Sequence, residues 1–313
     1  MKKVAVIQES PAFLDRERTL EMAVGLVDDA AAAGAELVVF PEAFIAGYPA
    51  WIWRLRPGSD WGTSEAIHGR LLDSSVDIER GDLQPLLEAA ARNEVTIVCG
   101  MNERDAGLSR ATIYNTVVVV GPDGSLLNRH RKLMPTNPER MVWGFGDGSG
   151  LNVVDTPVGR IGSLICWENY MPLARYALYA QGVELFIAPT YDSGDGWLGS
   201  MQHIAREARC WVVCSGVAIT NDDIPNDLPE RDSLYPESEE WINPGDSAVV
   251  APGGEMVAGP MRKEKGTLYA EIDPRKVAAS RRALDVAGHY SRPDVLRLHV
   301  DREVQSPIVF EDT

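Results

Sequence analysis

Apolar residues recur along this chain in two rhythms. Short runs such as Val4-Ala5-Val6-Ile7 and Leu37-Val38-Val39-Phe40 read as buried strands. Between them, residues 16–33 carry apolar positions at helical spacing, with Asp15 placed to cap the start and Gly34 the end. The opening is therefore strand, helix, strand. The pattern predicts a helix over 82–93 and a strand over 95–99. Runs 114–120 and 125–129 are joined by Gly121-Pro122-Asp123-Gly124, the residue set of a hairpin turn. A second hairpin joins 151–154 to 161–165 through Thr156-Pro157-Val158-Gly159. Helices follow over 171–181 and 200–211, strands over 185–188 and 212–217. Strands 247–250 and 256–258 flank Pro252-Gly253-Gly254, and a last strand, 268–272, precedes a helix over 274–284.

No linker or shift in composition divides the chain. One α/β domain over 1–286, with mixed sheets and helices on their outer faces, is expected, followed by a C-terminal tail over 287–313. One irregular stretch, 221–246, carries nine Asp/Glu, one Arg and four Pro, and reads as a lid, an interface or a disordered loop.

Composition narrows the function. With 45% hydrophobic and 24% charged residues over 313 positions, the chain has the make-up of an ordinary globular protein. Its 30 basic against 46 acidic residues leave a charge of −16, which argues against nucleic acid or an anionic membrane as partner. Four cysteines, no signal-peptide-like apolar run and no membrane-length apolar segment predict reduced thiols and a cytoplasmic location.

Three residues stand directly after predicted strands: Glu42 after ELVVFP, Lys132 after SLLNRHR, and Cys166 after GSLI. Strand ends form the rim where α/β sheets bind ligands. A thiol with an ordinary pKa of ~8.5 needs a base and a cation to act as a nucleophile near neutrality. Glu42 and Lys132 would supply both. Read singly, each of the three is more often a solvated charge or a core thiol, and spacing does not show that they meet.

The segments PEAFIAGYP, HRKLMPTNPER and ICWEN around these residues resemble the three signatures of the nitrilase superfamily of carbon–nitrogen hydrolases. The stretch Glu139–Gly148, Cys166-Trp167-Glu168, INPGDS at 242–247 and GHYSRPD at 288–294 resemble the nitrilase branch itself. The likeness runs from Val4 to Pro293 in matching order. It implies a four-layer αββα sandwich with Glu42 as general base, Lys132 as electrostatic stabiliser, Cys166 as nucleophile and Glu139 as a second carboxylate beside the lysine. Tyr48, Trp167, Glu168 and Thr190 are the candidate substrate contacts. The implied reaction turns a small-molecule nitrile into acid and ammonia through a thioimidate and a thioester, with no cofactor or metal.

Other readings compete. A sibling amidase, carbamoyl-amine hydrolase or cyanide-hydrolysing enzyme would use the same residues, and an idle assembly protein would keep only the fold. GFGDGSG at 144–150 superficially resembles a nucleotide loop but lacks the strand–helix setting. His203 and Glu207 share a helical face without further clustered ligands, and Cys210 and Cys214 read as core or interface. Trp51, Trp53 and Trp61 are placed to line a pocket or to pack on a partner subunit. The resemblance also implies a homodimer or larger homo-oligomer. Leu173, Tyr176, Ala177, Leu178 and Tyr179, with Ile204, Ala205 and Trp211, are its expected interface, and the tail is expected to order only across a neighbour.

Overall fold

The computed structural model describes residues 1–107, 109–308 and 311. The first sheet holds β1 (Lys2–Gln8), β2 (Leu37–Val39), β3 (Thr96–Arg104), β4 (Ile113–Val120) and β5 (Leu126–Arg131). The second holds β6 (Val154–Thr156), β7 (Gly159–Ser163), β8 (Leu185–Thr190), β9 (Trp211–Gly216), β10 (Ala218–Thr220), β11 (Trp241–Val250) and β12 (Met256–Arg262). The last strand, β13 (Gly266–Ile272), returns to the first sheet and pairs antiparallel with β1. The orders are β13-β1-β2-β3-β4-β5 and β10-β11-β9-β8-β7-β6, with β12 on β11. Each sheet has a parallel trio, β1-β2-β3 or β7-β8-β9, extended by antiparallel strands.

The layers follow from strand alternation. Val4, Val6, Leu37 and Val39 face inward and meet Leu185, Ile187 and Val213 of the other sheet in one buried cluster. Their neighbours Ala5, Ile7 and Val38 face outward onto α1 (Arg16–Ala32) and α3 (Gln84–Asn93), while α2 (Trp61–Ser74) lies over the loops beyond β2. Phe186, Ala188, Val212 and Cys214 face outward onto α4 (Pro172–Tyr179) and α5 (Asp195–Ala208). Two inner sheets between two helical layers make the four-layer αββα sandwich. Asp15 does cap α1, accepting the Arg18 N–H at 3.0 Å.

Several expectations need correction. The strand expected over 151–154 is confined to β6. A 3₁₀ turn at Gly148–Gly150 precedes it, and Leu151 is buried where that turn ends. The helix expected over 200–211 starts and ends earlier, as α5, and Trp211 opens β9. Ile204, Ala205 and Trp211 point into the core, so they offer no interface. The acidic stretch 221–246 is not a disordered loop, and its residues Ile242, Asn243 and Pro244 line the cavity that reaches Cys166. It contains a 3₁₀ turn, the single-turn α6 (Arg231–Leu234) and the first residues of β11. Its acids tie it down: Asp223 to Lys265, Asp227 to Arg70, Glu240 to Arg54 and buried Asp246 to Arg262.

The tail after α7 (Arg275–Arg281) is also not free up to residue 308. Arg302 donates to the Asn152 side chain, and the Gln305 N–H donates to Asp147 Oδ2 at 2.9 Å. It therefore finds partners within its own chain. Residues 309, 310, 312 and 313 of the expected tail lie outside the described residues.

One close approach positions everything downstream of β2. A Cβ built on Gly100, in β3, would overlap the Pro41 carbonyl oxygen and lie 2.8 Å from Ala43 N and 2.9 Å from Glu42 Cα. Only glycine lets the chain carrying Glu42 lie this close to β3. Gly100→Ala should therefore destabilise the protein by about 1–3 kcal/mol and lower turnover at least about tenfold, a barrier increase of ~1.4 kcal/mol. Thermal melting and steady-state kinetics check it; wild-type values in both would contradict the packing argument.

Candidate active site

Four segments deliver the site. Glu42 lies in the turn after β2, where Ala43 and Ala46 both adopt left-handed backbone. Lys132 follows β5 without a gap and is fixed by its own peptide. Its N–H donates to the Asn115 carbonyl at 2.8 Å, and its carbonyl accepts the Gly146 N–H at 2.8 Å. Glu139 sits in the 3₁₀ turn Asn137–Met141, where its carboxylate accepts the Thr136 N–H at 2.7 Å. Cys166 follows β7 and opens the 3₁₀ turn Cys166–Tyr170 with φ of 50°, a left-handed value uncommon for a non-glycine residue. Such local strain clusters at sites where a side chain must be aimed.

The side chains converge. Lys132 Nζ donates to Glu42 Oε1 at 2.7 Å and to Glu139 Oε2 at 2.8 Å. Glu42 also accepts from Asn115 Nδ2 at 2.7 Å and from the Tyr191 N–H at 2.6 Å. Glu139 Oε1 accepts the Tyr48 hydroxyl at 2.6 Å, and that hydroxyl in turn accepts the Trp53 indole N–H at 3.0 Å. Thr190, the last residue of β8, lies near the Cys166 thiol and favours its ionised form. All four principal side chains are buried. A cavity of about 280 Å³ reaches Cys166 and Glu139 between Trp53, Trp167, Tyr191, Asp192 and Asn243.

Burial sets the electrostatics. Desolvation raises the Glu42 carboxyl above its ordinary value, and Glu139 pushes the same way, against the lowering effect of Lys132. Desolvation would also lower the Lys132 ammonium, but Glu42 and Glu139 outweigh it and hold the lysine protonated, above its ordinary value. The Cys166 thiol is pushed well up by burial and by Glu42, with Lys132 opposing. A nucleophile at Cys166 would rest as a thiol and lose its proton as it attacks, and a carboxylate with a raised pKa beside a fixed cation suits that task.

Of the residues that the resemblance singles out, Lys132 bonds Glu42 and Glu139, and Cys166 opens on the same cavity as Glu139. Trp167 lines the cavity, and Thr190 stands against the thiol. Tyr48 is not a wall residue: it is buried, holds Glu139 and stacks on Tyr191 at 3.7 Å between ring centroids. Glu168 is not one either. Its carboxylate lies 3.1 Å from His130 Nε2 and accepts the N–H groups of Leu133 and Ile165 at 2.7 Å, which leaves no oxygen for substrate. Of the three tryptophans, Trp51 is core, Trp61 is exposed on α2, and Trp53 alone reaches the cavity. Asn115, Tyr191 and Asp192 were missed. A polar Asn inside the apolar run 113–120 was a signal for the first; nothing in the sequence marked the others. Among the described residues, no group of three or more His, Cys, Asp or Glu is arranged to hold a metal ion.

Residues 3–282 match the carbon–nitrogen hydrolase family model. The chain is 39% identical to an aliphatic nitrilase of Sinorhizobium fredii (strain HH103) over 308 residues, covering 98% of each chain. It is 39% identical to nitrilase 2 of Arabidopsis thaliana, covering 98% of this chain and 91% of that one. A bifunctional nitrilase/nitrile hydratase of Lupinus angustifolius is 39% identical over 98% of this chain and 88% of its own. In fold, the chain is similar to the Caenorhabditis elegans NitFhit protein, with a TM-score of 0.72 at 21% identity over 98% of this chain and 68% of that one. It is also similar to a Helicobacter pylori carbon–nitrogen hydrolase, with a TM-score of 0.68 at 20% identity over 90% and 93% of the two chains.

The hydrogen bonds to Glu42 predict a pH effect. A general base at Glu42 would act only when ionised, so activity would fall as pH drops through its raised pKa. The acid limb of kcat/KM should therefore lie above the ordinary carboxylate value of 4.5. Asn115 lowers that pKa by bonding the charged form, so Asn115→Ala should move the limb further up. A limb that stays in place, or moves down, would disconnect Asn115 from the base.

Proposed function

The chain belongs to the carbon–nitrogen hydrolase family, and we propose that Glu42, Lys132 and Cys166 are the groups with which it hydrolyses an organic nitrile to the carboxylic acid and ammonia. It is a nitrilase, a hydrolase of carbon–nitrogen bonds. The observation that carries the residue assignment is Lys132, buried and bonded to Glu42 at 2.7 Å and Glu139 at 2.8 Å in the wall of the cavity that reaches Cys166.

The chemistry follows from those positions. Glu42 takes the thiol proton as the sulfur adds to the nitrile carbon, and the nitrogen gathers the negative charge. The Lys132 ammonium stabilises that charge, and protonation gives a thioimidate. Water, activated by Glu42, adds to the thioimidate carbon, and ammonia leaves to give a thioester. A second water releases the acid and restores the thiol. Two waters are consumed for each nitrile. Glu139 orients the lysine, and Tyr48 and Thr136 hold Glu139. A buried lysine between two carboxylates cannot drift, so the cation is pre-placed where charge develops.

We also propose that the chain pairs with a second copy. Among the residues expected at an interface, Leu173 at the start of α4 is exposed, and so is neighbouring Tyr170, whereas Leu178 and Tyr179 are buried. A fully active 34 kDa monomer in light scattering at micromolar concentration would refute this.

Cys166→Ala should leave circular dichroism unchanged and abolish ammonia release from every nitrile of a panel assayed beside the matching amides. Mass spectrometry of the wild type during turnover should find the adduct on the peptide containing Cys166. An adduct on Cys99, Cys210 or Cys214 would refute the nucleophile assignment, and hydrolysis of amides alone would favour a sibling amidase.

Lys132→Gln should lose far more than about tenfold in kcat/KM, with Lys132→Arg little better, because a guanidinium fork does not fit the space of a compact ammonium. A loss below ~1.4 kcal/mol of barrier would remove Lys132 from the mechanism.

A further inference from the structure

The cavity over Cys166 has walls of three kinds, one of them neutral and polar: Thr136, Ser193 and Asn243. Trp53, Trp167, Tyr191 and Ile242 are apolar or aromatic, whereas Glu139 and Asp192 are acidic. Among the described residues that line it, none is basic. Lys132 lies behind this wall, already bonded to two carboxylates. With both ionised, that trio is net negative.

Asp192 adds to this excess. Its oxygens accept the Trp167 indole N–H at 2.8 Å and the Ser193 N–H at 2.8 Å. Its own N–H donates to Thr190 Oγ1 at 2.8 Å, so the carboxylate is held in place rather than swinging free. Among the described residues it makes no ion pair. Of the basic residues on adjoining segments, Arg54 is paired with Glu240 and Arg262 with Asp246 and Asp195, while Arg140, next to Glu139, is exposed, donates to the Pro135 carbonyl at 3.0 Å and does not line the cavity. A substrate carboxylate entering here would meet a fixed like charge and, among the described lining residues, no cation to receive it.

We propose that Asp192 sets the substrate class of this site: nitriles that carry an aromatic or apolar group without negative charge, with nitriles bearing a carboxylate turned away. The inference rests on the nitrilase reading above. The aromatic walls give an uncharged ring its contacts, and Asp192 imposes the charge selection. The same field acts after chemistry, because each turnover creates a carboxylate beside Asp192 and Glu139, and like charge favours its departure.

Three nitriles of one skeleton test this: phenylacetonitrile, 4-(cyanomethyl)benzamide and 4-(cyanomethyl)benzoate. The last two match in shape and differ in charge. In the wild type, kcat/KM for the benzoate should fall well below that for the benzamide. In Asp192→Asn, which keeps an oxygen to accept the Trp167 N–H, the benzoate-to-benzamide ratio should rise roughly three- to tenfold, the size expected for one like charge at a partly solvated site. The gain should appear mainly in KM. The wild-type ratio should also rise between about 10 mM and about 1 M salt, as the screening length shrinks from ~30 Å to ~3 Å. This arm needs no variant and stands if Asp192→Asn fails to fold. A ratio indifferent to both the substitution and salt would overturn the assignment while leaving the nitrilase reading intact. No turnover of any of the three by the folded wild type would instead count against the nitrilase reading, and this inference would fall with it.

Discussion

Taking an ammonium out of water costs several kcal/mol unless its protons are met by acceptors of opposite charge. Lys132 is held out of water, and the acceptors that make this tolerable come from opposite directions in the chain, Glu42 after β2 and Glu139 from a 3₁₀ turn. Neither carboxylate is tolerable alone either. Glu42 needs Asn115 and the Tyr191 N–H, and Glu139 needs Tyr48 and the Thr136 N–H. Much of the local architecture is thus a consequence of burying one positive charge. Loss of any member would leave the others as uncompensated buried charges. The surrounding geometry therefore has one arrangement that works rather than a range.

Glu168 extends the same logic across the sandwich. Lys132 ends a strand of one sheet and Cys166 follows a strand of the other, so their relation depends on how the sheets are registered. Glu168, in the turn opened by Cys166, accepts Ile165 N–H from its own side and Leu133 N–H from the lysine side, and it lies against buried His130 of β5. Desolvation works against its charge, yet His130 and the two N–H groups hold its carboxyl below the ordinary value, so it remains an acceptor. The residue beside the cavity, Trp167, and the residue that pins the sheets, Glu168, are chain neighbours with unrelated tasks.

The strand ends that hold Glu42, Lys132 and Cys166 were legible because buried strands are short apolar runs and the polar residue that interrupts one marks its rim. The ordered motifs then carried the fold and the family. What the sequence concealed is which polar residues turn inward. Glu168 and Tyr48 sit among the motifs and look like substrate contacts, yet each is consumed by hydrogen bonds to protein. The stretch 221–246 looked loose because its charge is dense, but density says nothing of partners, and Arg54, Arg70, Arg262 and Lys265 all lie outside it. Periodicity likewise showed that α5 is amphipathic without showing that Ile204 and Ala205 face inward.

The pairing of β1 with β13 bears on how the chain is made. Val4, Ala5 and Val6 lie on the strand next to the edge of the first sheet, and their partners on the edge side are Ala270, Tyr269 and Leu268. Gln8 likewise hands its amide to the carbonyls of Met261 and Glu264 and accepts the Ser247 N–H. During synthesis β1 emerges well before its partner β13 and waits for every intervening strand before that edge is closed. Until then an apolar strand presents unmet N–H and C=O groups to other nascent chains. Contacts this distant in sequence are slow to form and expose the polypeptide to aggregation meanwhile. Yield on expression should accordingly depend less on the native state's stability than on translation rate, growth temperature and chaperone supply during that interval.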